Sequence, residues 1–328
     1  MNKKQNLLLA TELKPKINAV IPQSAGLRLR ILVDEVRPLQ LVGTVNAYCA
    51  LLAERVGFQA IYLSGAGVAN ACFGLPDLGM TTLNDVVEEV RRITEASTLP
   101  LLVDADTGWG NPFNIARAVK QLTKAGAAGM HLEDQIQAKR CGHQANKVLV
   151  STTTMVERIQ SAVTAKTDSH FVIMARTDAA SELGLNAAID RANSYIEVGA
   201  DMIFVESLTT LTDYQHFVKA VHVPVLANIT EFGKTPLFSA NQLHDIGIRI
   251  VLYPLSAFRA MNYAAMAVYQ SIREHGSQQA MLEHMQTREQ LYDILDYHSY
   301  ELQLDDWIVK DKSILTSNPK KGGLRRSE

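Results

Sequence analysis

The sequence is poor in several features that would direct its reading elsewhere. It has only three cysteines, an odd and sparse set that excludes a disulfide framework and fits a reducing compartment, so a cytoplasmic location is expected. It has no apolar run near the roughly 20 residues of a membrane span. Its first twenty residues are interrupted by Lys3, Lys4, Glu12, Lys14 and Lys16. Nor is there an excess of charge of either sign: 32 Lys and Arg against 34 Asp and Glu leave a net charge of -2. No global field therefore favours nucleic acid or an anionic membrane, and neither is expected as a partner. An anionic substrate would have to be attracted by local groups. The chain is not short of apolar residues, which make up 47% of its 328 positions, ample for one large core with extensions.

What is present is alternation. Short β-rich runs are expected at Leu41 to Tyr48, Ala60 to Ser64, Leu99 to Asp106, Gly129 to Asp134, Phe171 to Thr177, Met202 to Glu206, Val223 to Ile229 and Arg249 to Pro254. Between them lie amphipathic stretches such as Leu83, Val86, Val87, Val90 and Ile93, whose spacing puts them on one helical face. Eight βα units in about 230 residues close an α/β barrel of the (β/α)8 type more naturally than they form an open sheet. The expected organisation is a polar leader over 1–23, the barrel over 24–273, a helical extension over 274–316 that packs on a neighbouring subunit, and a disordered tail over 317–328.

The polar residues collect at the carboxyl ends of these runs, where barrel active sites are built. Asp104 and Asp106, two apart at the end of the third run, would share a strand face. Side by side they call for a divalent cation, and an all-oxygen site suits Mg2+. The competing reading has one carboxylate capping the next helix and the other facing solvent. After the fourth run, Glu133 and Asp134 lead to Lys139-Arg140-Cys141-Gly142-His143. A thiol among cations can have its pKa drawn into the roughly 3.5 to 7.5 range and act as acid or nucleophile. Cys49 and Cys72 lack that setting and read as small packing groups. Later run ends supply Arg176, Asp178, Glu206, Asn228, Thr230 and Glu231, and Arg259 follows the eighth. Each arginine could hold a carboxylate bidentately or form a surface ion pair of little worth.

Two motifs are decoys. Gly65-Ala66-Gly67-Val68-Ala69-Asn70 lacks the third glycine of a dinucleotide loop, and with Pro76 close behind it is read as a loop that opens no helix. Its amides would still suit a carboxylate. Asp106-Thr107-Gly108 occurs once, in a chain that is not all-β, which excludes an aspartic protease. No lysine sits at a strand end for imine chemistry, which favours metal assistance.

Taken together, Ser64-Gly65-Ala66-Gly67, Gly74-Leu75-Pro76-Asp77, Asp104-Ala105-Asp106-Thr107-Gly108, Glu133-Asp134, Lys139-Arg140-Cys141-Gly142-His143 and Ala175-Arg176-Thr177-Asp178 resemble the isocitrate lyase and phosphoenolpyruvate mutase superfamily. The similarity runs over about residues 25–310, and the cysteine loop resembles the lyase branch. The resemblance implies a Mg2+-dependent carbon-carbon lyase, with Mn2+ as a substitute metal, splitting a tricarboxylate of the 2-methylisocitrate type into pyruvate and succinate. Isocitrate, dimethylmalate, oxaloacetate and phosphonate chemistries are the neighbouring possibilities within the superfamily. A barrel that has lost catalysis and only binds a ligand is the alternative from another class.

By the same resemblance Asp104 and Asp106 sit at the metal with Glu133 in support. Ser64, Gly65 and Ala66 receive the pyruvate part with Arg176 and Glu206 nearby, and Gly142 is a further substrate-binding residue. Asn228, Thr230, Arg259 and Arg288 hold the succinate part. Cys141 is the general acid, tuned by His143, and Tyr62 is the candidate base. A homotetramer is implied. One departure is Ala66, where the methylisocitrate branch is expected to carry Gly; the added methyl points to a narrower loop.

Overall fold

The computed structural model describes residues 23–142, 144 and 146–316. The expected leader up to residue 22, the tail from residue 317 and His143 lie outside the described residues. Eight strands, β1 (Leu39–Gly43), β2 (Ala60–Leu63), β3 (Leu101–Asp104), β4 (Gly129–Glu133), β5 (Val172–Thr177), β6 (Met202–Val205), β7 (Val225–Asn228) and β8 (Ile250–Tyr253), form a closed barrel. Every neighbouring pair is parallel, and β8 returns to β1 through Leu41 opposite Leu252.

Strands buried on both faces explain why these runs read as nearly continuous apolar stretches. β2, β3, β4 and β5 have no exposed position at all. Inside the barrel, Leu41, Tyr62, Leu102, Met174, Phe204 and Leu252 pack in one cluster with Leu29 and Val33 of the helix Ala25–Glu35, which joins the same core. A larger cluster fills the layer between strands and outer helices.

β1 starts and stops earlier than the sequence suggests. Asn46 accepts a hydrogen bond from the Cys49 amide at 2.9 Å, capping the helix Ala47–Val56 and taking residues 44–48 out of the strand. Gly43 is where chain meets chain: a Cβ there would lie 1.6 Å from the Pro254 carbonyl oxygen.

The glycine segment after β2 is also corrected. It opens the helix Gly65–Phe73, ended by Gly74 in the left-handed region, and Pro76 falls beyond that end. Tertiary contact overrides the weak helix propensity of glycine here, because the Gly65 amide donates to Asp104 Oδ2 at 3.0 Å.

Beyond β8 the helix Ser256–His275 runs unbroken across position 273, with no buried residue. A 3-10 turn and the helices Arg288–Ile294 and Tyr297–Thr316 follow.

Candidate active site

The carboxylates of β3 do meet, although not by strand alternation. β3 ends at Asp104, and the chain then turns through Asp106 at φ 45°. The Asp106 amide donates to Asp104 Oδ1 at 3.0 Å, which fixes the two side by side. Neither caps the next helix: Asn111 does that, and both aspartates are buried, so the capping reading fails. Glu133, whose amide donates to the Asp106 carbonyl at 2.9 Å, completes a cluster in which one carboxylate oxygen from each residue lies within 4.8 Å of the others.

The electrostatics are those of a site short of positive charge. Neither oxygen of Glu133 accepts a hydrogen bond from a described residue, and Arg176 Nη1 stands 3.4 Å from Oε2. Burial pushes the Glu133 carboxyl well above its ordinary range in spite of Arg176 and Lys139. Burial also raises Asp106, to about 6, with Asp104 and Asp77 adding to it and Lys139 opposing. Asp104 goes the other way: burial opposes its ionisation, yet His131, Lys139, Arg176 and the Asp106 amide hold it well below the carboxylate range. Burial depresses His131 to about 4, so His131 is already cationic at the low pH where Asp104 would take a proton. Three buried carboxylates, with both Glu133 oxygens left without a hydrogen-bond donor among the described residues and no nitrogen or sulfur ligand in the cluster, fit a hard divalent cation such as Mg2+.

Arg176, at the end of β5, is committed to acids on three sides. Its Nε and Nη2 fork onto Asp178 at 3.0 and 3.2 Å, Nη2 is 3.3 Å from Glu206 Oε2, and the guanidinium lies 4.9 Å from the centre of the Phe204 ring. Asn228 Nδ2 donates to Glu206 Oε2 at 3.3 Å. Tyr62 OH lies 2.9 Å from His131 Nε2. Burial, aided by Asp104, pushes the Tyr62 phenol well above 10, so Tyr62 is a phenol, not a resident phenolate, at neutral pH.

The cysteine loop is laid onto this cluster. The Gly142 carbonyl accepts from Lys147 Nζ at 2.6 Å and Ser207 Oγ at 3.0 Å. Lys147 is itself paired with Asp178 at 2.9 Å. A Cβ at Gly142 would lie 2.3 Å from Arg176 Nη2 and 2.6 Å from Glu206 Oε2, so only glycine lets the loop sit there. Gln135 clamps the residue before Cys141, accepting from the Arg140 amide and donating to its carbonyl, both at 2.9 Å. The Lys139 ammonium pairs with Asp77 and with Asp106 Oδ1, the latter at 2.7 Å.

A cavity of about 310 Å3 lies beneath the loop. It is lined by Tyr62 of β2 with Ser64 and Ala66 just after it, by Asp104, Arg176, Glu206, Asn228 and Thr230 from later strand ends, by Cys141 and Gly142, and by Arg259. Gly65 stands behind this wall with its amide on Asp104. Asp106 faces a neighbouring cavity of about 340 Å3. Arg288 is the exception: it is exposed on the first turn of Arg288–Ile294 and does not line the cavity.

Sequence reasoning missed His131, Lys147, Ser207 and the Asp77–Lys139 pair. His131 alone left a signal, since it stands two residues before Glu133 and alternation puts both on one face of β4.

The family model described as phosphoenolpyruvate phosphomutase matches residues 29–273. The chain belongs to the phosphoenolpyruvate phosphomutase family. This family member is 57% identical over 290 residues to the 2-methylisocitrate lyase of Shewanella oneidensis, covering 88% of this chain and 99% of that protein. Among solved structures it is similar to 2,3-dimethylmalate lyase, at 31% identity and a TM-score of 0.79, covering 93% of this chain and 99% of that one. It is also similar to phosphonopyruvate hydrolase solved with oxalate and Mg2+, at 26% identity and a TM-score of 0.75, covering 85% and 98%.

Proposed function

We propose that this family member is a carbon-carbon lyase that cleaves 2-methylisocitrate to pyruvate and succinate, the lyase step of a methylcitrate cycle. The observation that carries the reading is the buried carboxylate cluster whose Asp104 shares a cavity with Cys141 and Gly142, in a chain 57% identical to a 2-methylisocitrate lyase. Asp104, Asp106 and Glu133 would hold Mg2+, with Mn2+ as a substitute. Bound there, the ion supplies polarisation of the hydroxyl and carboxylate of the pyruvate half.

The chain's own residues do the rest. Ser64 and the Ala66 amide, at the N-terminus of Gly65–Phe73, receive the pyruvate carboxylate, with the Gly65 amide holding Asp104 behind them. Arg176, Glu206 and Gly142 wall that half in. Asn228, Thr230 and Arg259 hold the succinate half. The hydroxyl proton leaves through the Tyr62–His131 pair, because burial denies Tyr62 a standing negative charge. As the carbon-carbon bond breaks, its electron pair passes to the succinate half, and Cys141 donates its thiol proton to that carbon. His143, two positions on in sequence, is the proposed partner that tunes the thiol.

The assembly is proposed to be a homotetramer, with the barrel over 24–273 and the extension over 274–316 packing on a neighbour. Support comes from the apolar surface of the last helices, including Tyr263 at 82% exposure and Trp307 at 59%. Arg288 rides on this extension and is proposed to reach the succinate half in the assembled protein. Among the described residues no helix is long and apolar enough to cross a membrane, and the three free thiols support the proposed cytoplasmic location.

The test is an assay of 2-methylisocitrate and, separately, isocitrate, with Mg2+ and with chelator. Metal-dependent release of pyruvate, favouring 2-methylisocitrate within the roughly 10 to 200-fold that one methyl group can provide, is expected. Turnover of neither substrate would overturn the reading.

A further inference from the structure

The carboxylate cluster already has a cation at its edge, and that cation belongs to the cysteine loop. Lys139 Nζ lies 2.7 Å from Asp106 Oδ1 and pairs with Asp77 on its other side. Its side chain is only 4% exposed, so water screens little of this charge. Cys141 follows two residues later, and Gly142 is then fixed by Lys147 and Ser207 against the Arg176–Glu206 pair. Residues 139–142 thus form a short span with one end on the carboxylates and the other over the substrate cavity.

We propose that Lys139 is a built-in competitor of the divalent cation, so that metal occupancy and the placement of Cys141 are coupled through one ammonium. The inference rests on the reading of Asp104, Asp106 and Glu133 as the metal site. With the metal absent, Lys139 neutralises Asp106 and tethers the span. A dication beside the same carboxylate repels the ammonium and takes over its countercharge. Asp77, outside the carboxylate cluster, remains as the partner to which Lys139 can retreat. By linkage the effect is reciprocal: whatever the metal does to the tether, the tethered lysine does to metal affinity.

Two measurements on the full chain decide it, with Mg2+ alone as the probe. In calorimetric titration Lys139→Met is expected to bind Mg2+ about tenfold more tightly than wild type, within the range typical of coupled sites. Asp77→Asn is expected to shift affinity the other way, because Lys139 then leans wholly on Asp106. In wild type, the alkylation rate of Cys141, followed on its own peptide by mass spectrometry, is expected to rise several-fold when Mg2+ is added. In Lys139→Met it is fast from the start and insensitive to Mg2+. The wild-type measurement stands even if Lys139→Met does not fold. Mg2+ binding that is unchanged or weaker in Lys139→Met overturns the coupling, as does wild-type labelling that ignores Mg2+. No Mg2+ binding by wild type would overturn the metal site itself, and the coupling with it.

Discussion

At Cys141 the chemistry and the architecture separate cleanly. The side chain is half-buried at the cavity wall, while the loop is held by backbone contacts of its neighbours Arg140 and Gly142. Cys141→Ser is therefore expected to leave the melting curve and Mg2+ binding unchanged and to lower kcat by about 10²- to 10⁴-fold, the usual worth of a general acid. Near-normal turnover would remove Cys141 from the mechanism. Asp106 carries a prediction about pH. Burial raises it from the ordinary aspartate value of 3.8 to about 6, so in the metal-free protein its contribution to stability is fully present below about 3.8 and lost as pH rises through 6. A metal that needs the ionised carboxylate compensates that loss. Saturating Mg2+ is expected to raise Tm by several degrees at pH 8, of the order set by about 2.7 kcal/mol at a hundredfold excess over Kd, and to do little at pH 5. Equal shifts at both pH values would contradict it. The acids themselves were legible in sequence because they interrupt apolar runs at strand ends. Their partners were not.

At the scale of elements, the ends of β4 and β5 are tied by one buried acid. Asp134 accepts from Thr177 Oγ1 and the Asp178 amide at 2.9 Å, from Tyr195 OH at 3.0 Å and from Arg191 Nη1 at 3.1 Å. It thereby joins both strands to the helix Leu185–Glu197, which carries Arg191 and Tyr195. Asp134→Ala leaves a half-buried cation and three donors short of a partner, a change expected to approach the roughly 3 kcal/mol at the low end of the cost of breaking a buried pair. A loss of that size in denaturant unfolding is expected; a loss under 1 kcal/mol would show that water replaces the carboxylate. All eight strands were legible because buried parallel strands read as apolar runs with polar ends. The helix Gly65–Phe73 was not, since its glycines suggest a loop and only the contact with Asp104 and the close fit of Gly67 against Val45 and Leu255 account for them.

At the scale of the whole molecule, the apolar residues are distributed unevenly. The barrel strands expose no large apolar side chain, yet Tyr263, Met266 and Tyr269 recur at three-residue spacing on Ser256–His275 with exposures of 82, 61 and 72%. Surfaces of this kind mark association sites in soluble proteins. Light scattering is expected to show an assembly of four chains, and the double substitution Tyr263→Glu, Tyr269→Glu is expected to shift it towards monomer while the barrel stays folded. A wild-type monomer would refute the proposed assembly.

The periodicity of apolar residues is a local property, and it sufficed for the sequence by itself to determine an eight-stranded α/β barrel and the strand ends at which its acids, arginines and thiol would gather. What only the tertiary structure decided is which charges meet. Lys139 finds Asp77 across 62 positions and Lys147 finds Asp178 across 31, while Gly142 rests on a pair contributed by the ends of β5 and β6. Such pairings depend on how strand ends and loops converge at the closed mouth of the barrel, and no spacing along the chain encodes that convergence.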